Sequence, residues 1–89
     1  MLLLPAEITH RSAHSCAHML VQALRAEDTG AIADAGSLTK FDSSALAVLL
    51  ECRREAQVLG KTFSVRSLPA RLRSLAVLYG VAELLPAAP

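Results

Sequence analysis

Aromatic side chains are scarce in this sequence, in which two phenylalanines, one tyrosine and no tryptophan make up 3% of the 89 residues. Aliphatic side chains must therefore build the core, since hydrophobic residues still account for 53% of the chain. A chain of this length buries only about two-thirds of its unfolded surface, so this fraction predicts apolar surface that a partner can cover. The length predicts one domain with little room for a deep catalytic cleft.

An excess of charge of one sign is also missing. Nine lysines and arginines stand against eight aspartates and glutamates, for a net charge of +1. This balance gives no field that favours a nucleic-acid partner. The basic residues concentrate in the second part of the chain, with seven basic and four acidic residues from Lys40 onward against two and four before it. We interpret this excess as solvated surface rather than as a docking face for an acidic partner or lipid headgroups.

Long apolar runs and paired cysteines are lacking as well. Residues 1–4 are apolar, but Pro5 and Glu7 end the run. No stretch reaches the ~18 residues of a membrane span, and the first residues do not read as a secretory signal. Cys16 and Cys52 lack the spacing of a thiol pair. We predict both to be small core side chains in a reducing, cytoplasmic compartment.

The spacing of apolar residues predicts three strand and helix pairs in alternation. The first strand takes in residues 2–4 and Ile8, and its interruption by Pro5 suits an edge strand. Thr9 is the predicted cap of the first helix. The apolar stripe of that helix starts at Ala13 and continues through Cys16, Ala17, Leu20, Val21 and Leu24, before a turn at residues 27–30.

The remaining elements follow the same alternation. A second strand is predicted at residues 31–35 and a third at 62–66, and residues 36–41 are predicted to be a connection. The second helix is announced by Asp42-Ser43-Ser44 and terminated at Gly60, and the third is opened by Pro69 and ended at Gly80. The predicted inner stripes are Leu46, Leu49, Leu50 and Ala56 in the second helix, and Leu72, Leu75, Ala76 and Tyr79 in the third.

This order of elements implies right-handed crossover connections between parallel strands. The predicted fold class is α/β, with a small mixed β-sheet and helices packed on one of its sides. A single domain is expected over residues 1–85, and residues 86–89 are expected to form a loose C-terminal tail.

Two arrangements of side chains suggest enzyme chemistry, but each lacks necessary parts. His10, His14 and His18 recur every four residues on the first helix, but no nearby cysteine or carboxylate completes a tetrahedral metal site. Ser43 or Ser44 with one of these histidines would make a nucleophile and base, but no G-x-S-x-G elbow or oxyanion loop surrounds them. We therefore predict no catalytic residue, no cofactor and no metal.

The polar run Asp42-Ser43-Ser44 stands directly before a strongly apolar segment. A helix N-terminus carries free N–H groups and the positive end of the helix dipole, so it accommodates an anion. Capping needs only one such side chain. Three in a row therefore predict an exposed helix start that a partner recognises.

Residues 41–50, the segment Gly-Lys-Thr-Phe-Ser-Val at 60–65, Leu68-Pro69 and residues 75–81 together resemble a STAS domain. This is the domain shared by sulfate transporters and anti-sigma factor antagonists. The resemblance spans nearly the whole chain, and the second half is most similar to the MlaB-type subunit of bacterial phospholipid-transport ABC systems. The resemblance implies helices on one side of a sheet, no cofactor, and a partner surface at Asp42, Ser43 and Ser44.

The resemblance implies two alternative functions that this motif does not separate. In MlaB-type proteins the hydroxyl that matches Ser43 lies at the contact with the ATPase subunit. Such a protein is a non-catalytic cytoplasmic subunit, held at the inner membrane through its complex, that supports outer-membrane lipid asymmetry. In anti-sigma factor antagonists the phosphorylated serine matches Ser44, and the partner is an anti-sigma factor.

Two features depart from the family pattern. Members usually carry one more N-terminal strand than is found before Leu2. Antagonists commonly have glycine where this chain has Ala45. Alanine is the better helix former, which favours a rigid docking surface over a switch.

Overall fold

The fold is an α/β arrangement, seen in a computed structural model that describes residues 1–28 and 30–88. In chain order its elements are β1 (Leu2–Leu3), β2 (Glu7–Ile8), α1 (Ala13–Arg25), β3 (Gly30–Asp34), β4 (Lys40–Phe41), α2 (Ser44–Val58), β5 (Thr62–Arg66), α3 (Ala70–Leu78) and a 3₁₀ turn (Ala82–Leu84). The predicted fold class is confirmed, and the third predicted strand has the same bounds as β5.

The strands form two parallel sheets rather than the single mixed sheet that the sequence predicts. The larger sheet has the order β1-β3-β5, and Ala33 lies opposite both Leu2 and Val65. The smaller sheet pairs β2 with β4, which falls inside the predicted connection at residues 36–41. Each pair of neighbouring strands is joined through a segment that contains a helix, and such crossovers make the strands parallel.

Helices α1 and α2 pack on each other and on one face of the larger sheet. Both crossovers step in the same direction across the sheet, so crossovers of one hand put their helices on the same side. Ala31 and Ala33 of β3 are buried under them, and their small side chains allow close approach. The largest fully buried side chains are aliphatic or cysteine: Leu2, Ile8, Leu24, Leu49, Leu72, Val48 and Cys52.

The helix ends follow local signals, with one exception. Gly60, at the end of α2, adopts φ +70°. Its N–H donates to the Gln57 carbonyl at 3.1 Å, and the Lys61 N–H donates to the Ala56 carbonyl at 2.8 Å. This is a Schellman motif, and Gly80, at φ +72°, ends α3 in the same way. The exception is Thr9, whose side chain was predicted to cap α1.

At the start of α1, Ser12 is the N-cap residue, but its side chain makes no hydrogen bond to the free N–H groups of the helix. Its hydroxyl oxygen accepts a hydrogen bond from the Thr9 N–H at 3.1 Å. The Thr9 carbonyl accepts from the N–H groups of Ser12 and Ala13, both at 2.9 Å. Thr9 therefore contributes its backbone to the turn, and the helix begins at Ala13.

Two further expectations are corrected. Tyr79 is 56% exposed and does not line α3, because the helix ends at Leu78 and the chain turns at Gly80.

Within the expected loose tail, Ala88 N–H donates to the Val65 carbonyl at 2.8 Å, and Val65 N–H donates to the Pro86 carbonyl at 2.8 Å. Residues 86–88 thus pair with the outer edge of β5, where Val65 has backbone groups to satisfy, and Pro89 lies outside the described residues.

None of the helices within residues 1–28 and 30–88 is long and apolar enough to cross a membrane.

Lys61 closes the C-terminal end of α1, although the sequence suggested only a solvated basic residue. Its ammonium group donates hydrogen bonds to the carbonyls of Leu24 at 2.9 Å, Arg25 at 3.2 Å and Glu27. These carbonyls lie at the negative end of the helix dipole, so a cation there satisfies free acceptors and is electrostatically favourable.

We expect Lys61→Met to lower the free energy of unfolding by about 2 kcal/mol, because it removes a charged donor from a helix end. Urea denaturation followed by circular dichroism measures this change. Lys40→Met is the matched control, since Lys40 is exposed. Equal midpoints for the two variants would contradict the capping role.

Candidate functional site

The site lies where β4 passes into α2, at residues Asp42, Ser43 and Ser44. The N–H of Asp42 donates to the Ile8 carbonyl at 3.3 Å, which continues the ladder of the small β2–β4 sheet by one residue. The first turn of α2 therefore leaves from a hydrogen-bonded strand rather than from a free loop.

The side chain that caps α2 is the carboxylate of Asp42. Oδ1 of this carboxylate accepts a hydrogen bond from the Ser44 N–H at 2.8 Å. The backbone carbonyl of Asp42 accepts another from the Ala45 N–H at 3.1 Å. Ser43 already has helical dihedral angles, φ −62° and ψ −16°, and its hydroxyl makes no cap hydrogen bond. The predicted helix start is thus correct, and the two hydroxyls are left free of the capping role.

The second oxygen of Asp42 reaches the loop before α1. Oδ2 accepts a hydrogen bond from the His10 N–H at 3.0 Å and lies 3.5 Å from Nδ1 of the same residue. Asp42 therefore ties the beginning of α2 to the segment between β2 and α1. His10 is therefore part of the contact between these two segments.

These hydrogen bonds hold Asp42 in its ionised form. The N–H donor of His10, followed by that of Ser44, lowers the pKa of the carboxyl to about 2, with smaller contributions from the Ser44 hydroxyl and the His10 imidazole. A carboxylate that accepts several donors is stabilised relative to its protonated form. At neutral pH Asp42 is an acceptor and a negative charge.

The two serine hydroxyls occupy different environments. Ser43 is exposed in the first turn of α2, whereas Ser44 is half-buried and its hydroxyl lies close enough to Asp42 to help lower that pKa. The sequence predicts both as parts of one exposed motif and does not distinguish them. In the structure Ser43 is the more exposed of the two residues.

An arginine that the sequence placed among solvated charges borders the site. The guanidinium carbon of Arg71, near the start of α3, lies 5.1 Å from the centroid of the Phe41 ring, at a distance typical of a cation–π contact. Phe41 directly precedes Asp42, so this contact brings the first turn of α3 beside the motif. No sequence pattern links two residues thirty positions apart.

His14 and His18 lie in a different place from His10, on a groove between α1 and α2. This α1–α2 groove has a volume of about 440 Å³ and is lined by Ala13, His14, Ala17, His18, Val21, Arg25, Ala47, Val48, Glu51 and Glu55. Over the described ranges, no group of three or more His, Cys, Asp or Glu side chains comes together as a metal site would need.

Both cysteines are buried, as the sequence predicts for core side chains. Burial raises the pKa of Cys16, and burial with smaller effects of Cys16 and Glu51 raises the pKa of Cys52 to about 12. Thiols in this state carry little thiolate at neutral pH and are poor nucleophiles.

Asp42→Asn should lower the melting temperature at pH 7, because an amide cannot accept from both the His10 and Ser44 N–H groups. The folded-state pKa of about 2 lies below the unfolded value of about 3.9. The stabilisation is therefore present above pH ~4 and is lost as the pH falls through about 2. The difference between parent and variant should narrow across this window in thermal melts. Asp28→Asn, which removes an exposed carboxylate, is the control, and a pH-independent difference would contradict the assignment.

We expect zinc to leave the melting temperature unchanged, because His10 contacts Asp42 while His14 and His18 lie on the groove. Elemental analysis of the purified protein and melting with and without a chelator test this. Stoichiometric zinc, with a lower melting temperature on chelation, would show that the histidines do form a metal site.

Comparison with known proteins identifies the family of the chain. No curated protein matches the chain. The family described as "Mlab, STAS domain" matches residues 1–86. The match covers all the strands and helices described above, including the start of α2. The chain therefore belongs to the Mlab-type STAS domain family.

Proposed function

We propose that this protein is a non-catalytic accessory subunit that binds the ATPase of a phospholipid-transport ABC complex through the first turn of α2. STAS domains mediate protein–protein contacts and are generally non-catalytic. The Mlab-type match supports the transport assignment within that family. In this proposal the protein is cytoplasmic and lies at the inner membrane through its complex.

The observation that carries the proposal is the exposed Ser43 beside an Asp42 carboxylate that accepts two backbone hydrogen bonds. Ser43 is the position that, by the resemblance to MlaB-type proteins, contacts the ATPase. Asp42 holds two backbone N–H groups and fixes the turn before any partner arrives. A surface that is already ordered loses little conformational entropy on binding, so it suits docking.

The geometry gives less support to the alternative, an anti-sigma factor antagonist phosphorylated at Ser44. Ser44 is half-buried, and its hydroxyl lies close to the ionised Asp42. A phosphate there would bring about −2 of charge next to a carboxylate, and that repulsion opposes the modification. Ala45, buried in the helix, adds no flexibility at this point.

The same contacts argue against catalysis at the motif. A carboxyl with a pKa of about 2 is a weak base at neutral pH, far from the value that general base catalysis requires. The Nδ1 atom of His10 lies 3.5 Å from Asp42 Oδ2, on the same oxygen that accepts the His10 N–H. These contacts of Asp42 suit a turn that is held in place for binding.

Ser43→Asp should leave the melting temperature nearly unchanged, since an acidic side chain is favourable in the first turn of a helix. It should weaken partner binding by about 2 kcal/mol or more, because a new charge would be buried at the contact without a matched cation. Ser15→Asp places the same charge on an exposed position of α1 and serves as the control.

Affinity purification of the tagged protein from its native cells, followed by mass spectrometry, identifies the partner. Binding of each variant to that purified partner is then measured by calorimetry. An ABC ATPase whose binding falls with Ser43→Asp and is kept with Ser15→Asp supports the proposal. Recovery of a sigma-regulating kinase, or equal affinity of the two variants, would overturn it.

A further inference from the structure

The α1–α2 groove runs along two helices that point in the same direction. Each helix follows a strand of the parallel sheet and returns to the start of the next strand, so α1 and α2 are parallel to each other. Arg25 at the end of α1 accordingly bonds Glu55 near the end of α2, with Nη2 to Oε1 at 3.1 Å. The other end of the groove, at Ala13 and Ala47, lies about one turn beyond Ser43.

The floor of the groove is apolar and its α2 wall is acidic. Small side chains line the floor, which leaves a trough between the helices: Ala13, Ala17, Val21, Ala47 and Val48. Glu55 is neutralised by Arg25. Glu51 is exposed and forms no ion pair within residues 1–28 and 30–88. The groove therefore presents one uncompensated negative charge above an apolar floor.

We propose that the α1–α2 groove binds an amphipathic helix of the protein partner, with a lysine or arginine of that helix opposite Glu51. The inference extends the proposed function and rests on it in one respect, that the occupant belongs to a bound protein. Apolar side chains of the occupant fill the floor, and the basic residue neutralises the wall.

The walls of the groove select a helix over an extended strand. Their backbone N–H and C=O groups are paired within α1 and α2, so they offer no edge that a strand can join. A third helix packs its ridges between two parallel helices through side chains alone. The lining residues of α1 run from Ala13 to Arg25, which corresponds to about 18 Å. An occupant of about three helical turns matches that length.

The charge and the concave shape disfavour other occupants. A symmetric contact between two copies requires a self-complementary surface, and two troughs facing each other leave their floors unfilled. Such a contact would also bring two Glu51 carboxylates together. Anionic lipid headgroups would be repelled by the uncompensated Glu51 carboxylate.

Site-specific photo-crosslinking in cells of the source organism tests the inference. A benzophenone amino acid is placed at His14 or His18 on the groove, at Ser43 in the proposed ATPase contact, and at exposed Ser15 outside the groove. We expect His14 and His18 to crosslink to one helical segment of the partner, with apolar residues one turn apart and a nearby lysine or arginine. Ser15 should give no such product.

A charge exchange then tests the predicted ion pair. Glu51→Lys should weaken binding of the purified partner about tenfold, and replacing the crosslinked partner's basic residue with glutamate should restore it. Glu83→Lys makes the same change at an exposed position outside the groove and should bind like the parent. Thermal melts of both variants establish that each is folded.

The crosslinking results distinguish the groove inference from the proposed ATPase contact at Ser43. Crosslinks from Ser43 with none from His14 or His18 overturn the groove inference and leave the proposed function intact. Crosslinks from His14 or His18 with none from Ser43 support the groove inference and overturn the proposed contact at the first turn of α2. Groove products formed with a second copy, with lipid or with a non-helical segment overturn the inference, as does an unchanged affinity of Glu51→Lys.

Discussion

The Asp42 carboxylate accepts hydrogen bonds from residues at two separate positions in the chain, His10 and Ser44. One bond fixes the first turn of α2, and the other holds the loop that leads into α1, thirty-two residues earlier. The start of each helix therefore depends on the same ionised group. The exposed Ser43 directly follows this junction, and Phe41, which carries the Arg71 guanidinium on its ring, directly precedes it.

The sequence predicts those parts of the fold that local patterns determine. Helix α2 begins at its polar run and ends at Gly60, and β5 has the predicted bounds, because capping, glycine conformation and apolar spacing act over a few residues. The β2–β4 sheet escapes prediction, since two-residue strands carry no periodicity. The contact of Lys61 with α1 escapes it too, because its partners lie more than thirty residues away.

The candidate site likewise has features that the sequence predicts and features that it does not. Asp42, Ser43 and Ser44 are found from sequence because three polar residues before an apolar run mark a helix start. The unequal exposure of the two serines is not found, because it depends on how the first turn of α2 packs against the rest of the fold. The Arg71–Phe41 contact likewise depends on how α3 returns to β4.

The pairing of residues 86–88 with Val65 has a consequence for how the protein behaves at high concentration. Without that segment, β5 would present open N–H and C=O groups at the rim of the larger sheet, a template on which other chains can add strands. The Pro86 carbonyl and the Ala88 N–H occupy the positions that such a strand would use. Residues 86–88 thus protect the β5 edge at Val65 from edge-to-edge aggregation.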